Sequence, residues 1–289
     1  LQATRNTATA AVAITGAAGY VGSALAHGMR RAGREVIEFR RTGGNDRATI
    51  RSFRLEDEPA PEIFLNIETL VHCAYDFQAR GWDEIQAVNV DGTRRLFRAA
   101  AGAGVKRFIL ISSISAFRGC RSLYGRAKLE MEAIAAAQGA AIIRPGLVFG
   151  ERPGGMVAAL LKLALLPGLV PLVGDGHYLL YAAHEEDLCQ LLLRIADGPT
   201  GLAGEPIVAA HRRAYTLREI MVALAARRNR RPRFVPIPAG AIDLTLHLME
   251  ASGLRPRLRR DSLLSLLNQD PAPDFEPLQR VGLEFRPFC

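Results

Sequence analysis

Lysine is almost absent from this chain. Lys106, Lys128 and Lys162 are the only three in 289 residues, so nearly all of the 37 basic residues are arginines. A net charge of +8 admits nucleic acid or an anionic surface as a partner. The arginines, however, are scattered along an alanine-rich chain. Their densest run is "RRNRRPR", Arg227 to Arg233, with a second at Arg255, Arg257, Arg259 and Arg260, and neither is interleaved with aromatics. Stacking on bases requires such aromatics, so no nucleic-acid partner is expected. The runs read as a solvated face, with contact to a substrate phosphate or to a partner as the alternative.

Cysteine is equally sparse. Cys73, Cys120, Cys189 and Cys289 are far apart, with no Cys-x-x-Cys and no His/Cys ligand pattern. That excludes a zinc module and a disulfide framework, and it predicts free thiols, a cytoplasmic protein and no metal. The opening "LQATRNTATA" has no apolar stretch of signal-peptide type, so none is expected there, although the chain starts without methionine and a removed leader stays compatible with it. The most apolar stretch, "MVAALLKLALLPGLVPLVG", is broken by Lys162, Pro167 and Pro171, so no membrane span is expected. Repeats and low-complexity tracts are lacking too. What remains, 49% hydrophobic and 23% charged residues, is the make-up of an ordinary globular protein with a sizeable core.

Up to about residue 150 the chain alternates short β-rich runs with longer helical patterns. The runs are "AVAIT" (11–15), "EVIEF" (35–39), a weaker "IRSFR" (50–54), "TLVHCA" (69–74), "RFILISS" (107–113) and "AAIIRP" (140–145). Helical patterns occupy 20–32, 84–103 and 124–138. Nearly all-apolar strands imply burial on both faces, and strand–helix alternation implies right-handed crossovers in a parallel sheet. The expectation is a doubly wound α/β fold, with residues 1–150 as a dinucleotide-binding domain. Residues 151–289 form mainly a smaller substrate lobe, with 175–200 returning to the first domain. Helical segments are expected there at 156–166, 185–196, 216–228 and 239–267.

"AVAITGAAGYVGSALAHGMRRAG" places Gly16, Gly19 and Gly22 directly after the first strand and at the opening of the first helix. Glycines allow the tight turn and close backbone approach to a pyrophosphate, and the first helical turn, with Tyr20 and Val21, adds N–H donors and a partial positive charge. The end of the second strand then selects the cofactor. "EVIEFRRTGG" puts Arg40 and Arg41 where a ribose-binding carboxylate would stand, and a guanidinium pairs with a 2′-phosphate that a carboxylate repels. NADP(H) is favoured, with NAD(H) possible. Glu38, two residues earlier, is expected to point elsewhere.

In "LYGRAKLEME" (123–132) Tyr124 and Lys128 stand one helical turn apart, hence on one face. Ser112 and Ser113 end the strand before them. A hydroxyl, a phenol and an ammonium so arranged form a proton-transfer set. Lys128 is expected to lower the phenol's pKa, Tyr124 to exchange a proton with a substrate oxygen, and Ser113 to hold that oxygen.

The sequence resembles the extended or atypical short-chain dehydrogenase/reductase family, which contains NAD(P)-dependent sugar epimerases and dehydratases. Eight blocks in order carry the resemblance: "TGAAGYVG", "VHCAY", "NVDGTRRLFRAA", "SS", "YGRAK", "RPGLVFG", "GDG" and "HEEDL". It implies Ser113, Tyr124 and Lys128 as the catalytic set, with Lys128 also on the nicotinamide ribose. It further implies Cys73, Ala74 and Tyr75 along the cofactor, Asn89 supporting that strand end, Leu55 against the adenine, and Pro145 to Leu147 on the nicotinamide side. A homodimer through two helices of the sheet domain is also what the family implies.

Departures point away from nucleotide sugars. The arginine that grips a substrate diphosphate after "GDG" is replaced by Leu180, beside Leu179, and Arg54 in "FRLED" takes the place of an adenine-binding aspartate. A smaller or more apolar small-molecule substrate is expected. Cys120 reads as a small buried thiol, and His184 and Asp187 as fixing a helix start. His177 and Tyr178 stay open between cleft and ordinary loop, as does Trp82 between packing anchor and lid. The leading function is an NADP(H)-dependent oxidoreductase or epimerase/dehydratase-like enzyme acting on a secondary alcohol or carbonyl. The alternative is a non-catalytic NADP(H)-binding accessory subunit or redox-sensing regulator, because the tail 254–285 resembles the branch related to an accessory subunit of respiratory complex I.

Overall fold

A computed structural model describes residues 11–42, 49–198, 203–252 and 259–288. The N-terminal decapeptide, Arg255, Arg257 and Cys289 lie outside them. In chain order the elements are β1 (Ala11–Thr15), α1 (Tyr20–Arg31), β2 (Val36–Arg40), β3 (Ile50–Ser52), β4 (Ile67–His72), α2 (Gly81–Ile85), α3 (Asp91–Gly102) and β5 (Arg107–Ile111). There follow α4 (Leu123–Ala137), β6 (Ala141–Pro145), β7 (Leu147–Phe149), α5 (Gly155–Ala164), β8 (Leu169–Val173), β9 (Leu179–His184) and α6 (Glu185–Asp197). The chain ends with β10 (Pro206–Ala209), β11 (Ala214–Thr216), α7 (Leu217–Ala226), β12 (Arg233–Ile237), α8 (Ala239–Ala251), α9 (Arg260–Leu267) and α10 (Glu276–Arg280).

The central sheet has seven strands in the order β10-β6-β5-β4-β1-β2-β3. β1 pairs in parallel with β2 and β4, and every one of its residues is buried. This is the doubly wound α/β architecture expected from all-apolar strands. The chain divides into two compact units. The first holds the described residues of Leu1–Ile111, Met131–Ile142 and Leu192–Glu205; the second holds those of Ser112–Glu130, Ile143–Leu191 and Pro206–Cys289.

In the first unit, α1 buries Gly22, Leu25, Ala26 and Met29, an i, i+3, i+4, i+7 stripe that faces a sheet. The helix expected over 84–103 is interrupted: between α2 and α3 the turn over Gln86–Val90 is widened to π form. Asn89 lies within this turn and is fully buried. Such widenings recur at functional sites.

The second unit contains strands that periodicity does not announce. β9 lies between antiparallel β11 and parallel β7, and β12 pairs with β8 in a separate two-stranded ladder. Each has three to six residues, and Pro171 and Pro236 interrupt the ladder's donors, so neither length nor alternation separates them from loop. The helical run expected over 239–267 is two helices, α8 and α9, and the strand expected over 50–54 stops at Ser52. The core of this unit gathers Phe149, Leu172, Leu180, Ile220, Leu224 and Phe288. No helix among the described residues is long and apolar enough to cross a membrane.

The C-terminal segment is held by Phe288 in the core and by an ion pair. Arg286 donates from Nε and Nη2 to the buried carboxylate of Asp187, at 3.0 and 2.7 Å, and its backbone N–H donates to the same group at 2.8 Å. Asp187 is thus an anchor for the chain end, while His184 Nδ1 accepts from the Glu186 N–H at the start of α6. Arg286→Ala leaves a buried carboxylate short of two charged donors. An expected loss of about 2 kcal/mol follows, seen as a lower urea midpoint; Glu186→Gln, at an exposed partner of the same arginine, should cost roughly a quarter of that.

Candidate active site

The glycine loop of the first unit is built by steric need. Gly16 has φ +67°, and a Cβ on it would stand 2.9 Å from the Ala74 backbone. A Cβ on Gly22 would drive into the Gly16 carbonyl oxygen. Gly19 begins α1 in an extended conformation, no side chain caps the helix, and no acidic residue lies in its first turn. A backbone cradle that only glycine permits, opening a helix with its positive end bare of carboxylate, fits the pyrophosphate of a dinucleotide.

At the end of β2, Glu38 does not point elsewhere. It lies on the face of Arg40, as residues two apart in a strand must. Its buried carboxylate accepts from Arg40 Nε at 2.7 Å and from Arg30 Nη1 at 2.5 Å. The Arg40 charge is therefore partly spent inside the unit, and Arg41 beside it is exposed.

The loop after β4 is held by a buried hydrogen-bond chain that sequence reading passed over. Thr15 and His72 are opposite each other in the β1–β4 register. Thr15 Oγ1 accepts from the N–H groups of Cys73 and Ala74, both at 3.1 Å, and lies 2.7 Å from His72 Nδ1. With both acceptances made, the threonine proton goes to Nδ1, which assigns the other ring nitrogen as the N–H. His72 Nε2 then donates to Thr93 Oγ1 at 3.0 Å, and Thr93 donates to the Asn89 carbonyl at 2.7 Å. Asn89 closes the chain: its Oδ1 accepts from Asp76 N at 2.6 Å and its Nδ2 donates to Asp76 O at 3.2 Å. Cys73, Ala74 and Asn89 thus meet in one network. Tyr75 packs on Phe77 at 4.8 Å between centroids. Leu55 is buried beneath Gly92, and its carbonyl accepts from Arg95 at 2.7 Å.

In the second unit Ser113, Tyr124 and Lys128 come together. Tyr124 is the second residue of α4, its hydroxyl hydrogen-bonds Ser113, and the buried Lys128 ammonium lies 5.8 Å from its ring centroid. Ser113 Oγ also accepts from the Ser115 N–H at 3.1 Å. The expectation of a depressed phenol pKa is corrected: burial raises it to about 12, the Ser113 bond opposes the rise, and the Asp261 carboxylate adds to it. Spacing places the ammonium near the ring but says nothing of the lost hydration of a phenolate, and that loss dominates.

Asp261 is a residue of this site that the sequence did not reveal. From α9 it accepts the first N–H groups of α4, Leu123 N at 2.7 Å and Tyr124 N at 3.0 Å. Four residues on, Ser265 donates to Ser115 Oγ at 2.9 Å, and Ser115 Oγ donates to the Ser265 carbonyl at 3.0 Å. A Cβ on Gly125 would strike the Ser115 carbonyl, which explains the small residue after Tyr124. Burial pushes the Cys120 thiol up, so it is no ready nucleophile. Pro145 is buried with its carbonyl accepting from Ile114 N at 3.0 Å, and Leu147 is in the unit's core. Leu180, at the place of the diphosphate-gripping cation, is fully buried, whereas Leu179 is exposed. His177 is exposed and pairs with Asp175 at 2.7 Å. Among the described residues no group of carboxylates, histidines and cysteines could hold a metal.

Tyrosinate absorbance measured across pH, wild type minus Tyr124→Phe, isolates one of six tyrosines. The unfolded chain releases that proton near 10, the folded one at about 12. The expected difference signal is therefore flat through pH 10 and rises only towards 12, and the stability this group contributes below 10 is lost across that window. Asp261→Asn removes a negative charge from the helix start and should move the rise to lower pH; an unmoved rise would show that the carboxylate does not act on the phenol.

Known proteins are similar to this chain. Residues 12–210 match the model of the NAD dependent epimerase/dehydratase family. A ceramide reductase of Caulobacter vibrioides is 30% identical over 261 residues, covering 83% of this chain and 77% of that protein. Two solved structures share the fold. MoeE5 in complex with UDP-glucuronic acid and NAD has a TM-score of 0.72 at 23% identity, over 96% of this chain and 94% of that one. UDP-glucose 4-epimerase from Thermotoga maritima has a TM-score of 0.65 at 22% identity, over 89% and 96%. The chain is an enzyme of short-chain dehydrogenase/reductase type and belongs to the NAD dependent epimerase/dehydratase family.

Proposed function

We propose that the protein is an NADP(H)-preferring reductase of a ketone on a largely apolar small molecule, working also in the direction of alcohol oxidation. One observation carries the reading: the hydroxyl of the half-buried Tyr124 hydrogen-bonds the buried Ser113, with the buried Lys128 ammonium beside its ring, and lost hydration pushes the phenol's pKa up to about 12. A protonated phenol is the form needed to acidify a carbonyl oxygen as the carbon is reduced.

The dinucleotide would be held by the Gly16–Gly22 loop and by the Cys73–Tyr75 segment, and when bound it supplies the hydride. Ser113 hydrogen-bonds the substrate oxygen and stabilises the charge growing there. The Tyr124 proton passes to that oxygen, completing the alcohol. Lys128, one turn along α4, stabilises the phenolate left behind until solvent returns the proton. The preference for a 2′-phosphate is supported by three guanidinium groups, Arg30, Arg40 and Arg41, set against the single Glu38 carboxylate. Part of the Arg40 charge is already used, so NAD(H) remains a working cofactor and Arg41 carries most of the discrimination.

The substrate class is argued from two sides. Leu180 is part of the core where a diphosphate would need a cation, and the relative at 30% identity is by name a reductase of ceramide. A long-chain ketone is therefore the proposed substrate rather than a sugar nucleotide. A non-catalytic binding subunit is not favoured, since such a protein has no use for a phenol held between Ser113 and Lys128.

Tyr124→Phe should lower kcat on long-chain ketones by roughly 10²–10⁴-fold and leave NADPH binding nearly unchanged. Equal turnover would remove Tyr124 from the chemistry. In fluorescence titrations NADPH should bind more tightly than NADH, and Arg41→Ala should narrow the gap; equal affinity in the wild type would overturn the assignment of the 2′-phosphate.

A further inference from the structure

The arginine run and the broken apolar stretch of the sequence, neither used by the chemistry above, meet in the second unit. Leu166 to Leu169 form an exposed turn of apolar residues, with Leu166 43% and Leu169 65% exposed. The register of the β8–β12 ladder puts Arg233 opposite Leu169 and Val235 opposite Pro171, and Val235 is itself 38% exposed. Leu166, Gly168, Arg230, Arg231 and Arg233 line one shallow cavity of about 250 Å³. Large apolar side chains and cations thus share one face.

The charge on this face is uncompensated. Three other arginines of the unit are matched by carboxylates: Arg213 by Glu219, Arg260 by Asp243 and Arg286 by Asp187. Among the described residues no carboxylate lies within ion-pair distance of Arg228, Arg230, Arg231 or Arg233, all of them exposed. A merely solvated basic face needs no exposed leucines beside it. An apolar turn flanked on one side by guanidinium groups without carboxylate partners among the described residues suits a surface that is anionic outside and hydrocarbon beneath.

We propose that the Leu166–Leu169 turn and the Arg228–Arg233 run form a docking surface for an anionic phospholipid bilayer, with the leucines entering the headgroup boundary and the arginines pairing with lipid phosphates. This is attachment at the surface, not a span. It rests on the face itself and not on the reaction assigned to Tyr124.

Co-sedimentation of the full chain with vesicles tests it. Binding is expected to vesicles of phosphatidylcholine with one-third phosphatidylglycerol, with little to pure phosphatidylcholine, and it should weaken as salt is raised. Arg230→Gln/Arg231→Gln/Arg233→Gln should weaken partition on the order of 100-fold, and Leu166→Ser/Leu169→Ser by about ten-fold or more. Each variant is checked for unchanged NADPH affinity, which separates a lost surface from a lost fold or cofactor site. Failure of the wild type to bind anionic vesicles, equal binding to neutral ones, or undiminished binding by the arginine variant overturns the proposal. So does competition by inorganic phosphate or by RNA at concentrations that leave the vesicles intact, because the face would then be an anion or nucleic-acid site. The salt response of the wild type decides the matter even if a variant does not fold.

Discussion

The hydrogen bond between the Tyr124 phenol and Ser113 is the contact on which the proposed chemistry depends, and its character is set by burial. A phenolate loses hydration when enclosed, and here that loss outweighs what the Ser113 bond returns, so the proton is retained. Asp261 reinforces this from the start of α4, where it also satisfies two N–H groups that the helix cannot satisfy alone. A carboxylate at a helix start is the favourable sign for the dipole. The same residue therefore stabilises the helix, fixes the backbone of Tyr124 and adds to the rise in the phenol's pKa that burial causes.

The first unit answers a different demand with the same economy of means. A dinucleotide cradle must hold backbone N–H groups and loop ends in fixed positions. Thr15, His72, Thr93 and Asn89 do so by a chain in which each group's donors and acceptors are assigned by its neighbour. Buried polar chains of this kind stabilise only when complete, and this one is. Replacing His72 would take one partner from both Thr15 and Thr93, so its fully buried ring is a constraint on the loop after β4.

How much of this was legible from sequence depends on how far apart the interacting residues are. The glycine loop was legible because strand, turn and helix are contiguous, and Gly16 and Gly22 are dictated by local sterics. Tyr124 and Lys128 were legible as neighbours because helical spacing is fixed; the direction of the phenol's shift was not, since spacing carries no information on burial. His72 stood in plain view within "VHCAY", but its bond to Thr15 exists only through the β1–β4 register. Asp261 acts on Tyr124 across 137 residues, and nothing local marks it. The short strands of the second unit escaped for a third reason: interrupted by proline and half exposed, they carry no period to read. Glu38 shows the converse: expected to point elsewhere, it lies on the face of Arg40, as strand alternation requires and as reading the two positions separately missed.

The reading of the chain as a ketone reductase comes down to whether Tyr124 meets the reacting oxygen. A crystal structure with NADPH and a long-chain secondary alcohol tests this most directly. The account predicts the alcohol oxygen within about 3 Å of both the Tyr124 and Ser113 hydroxyls. An alcohol bound with that oxygen turned to other groups, and Tyr124 still bonded only to protein, would contradict it.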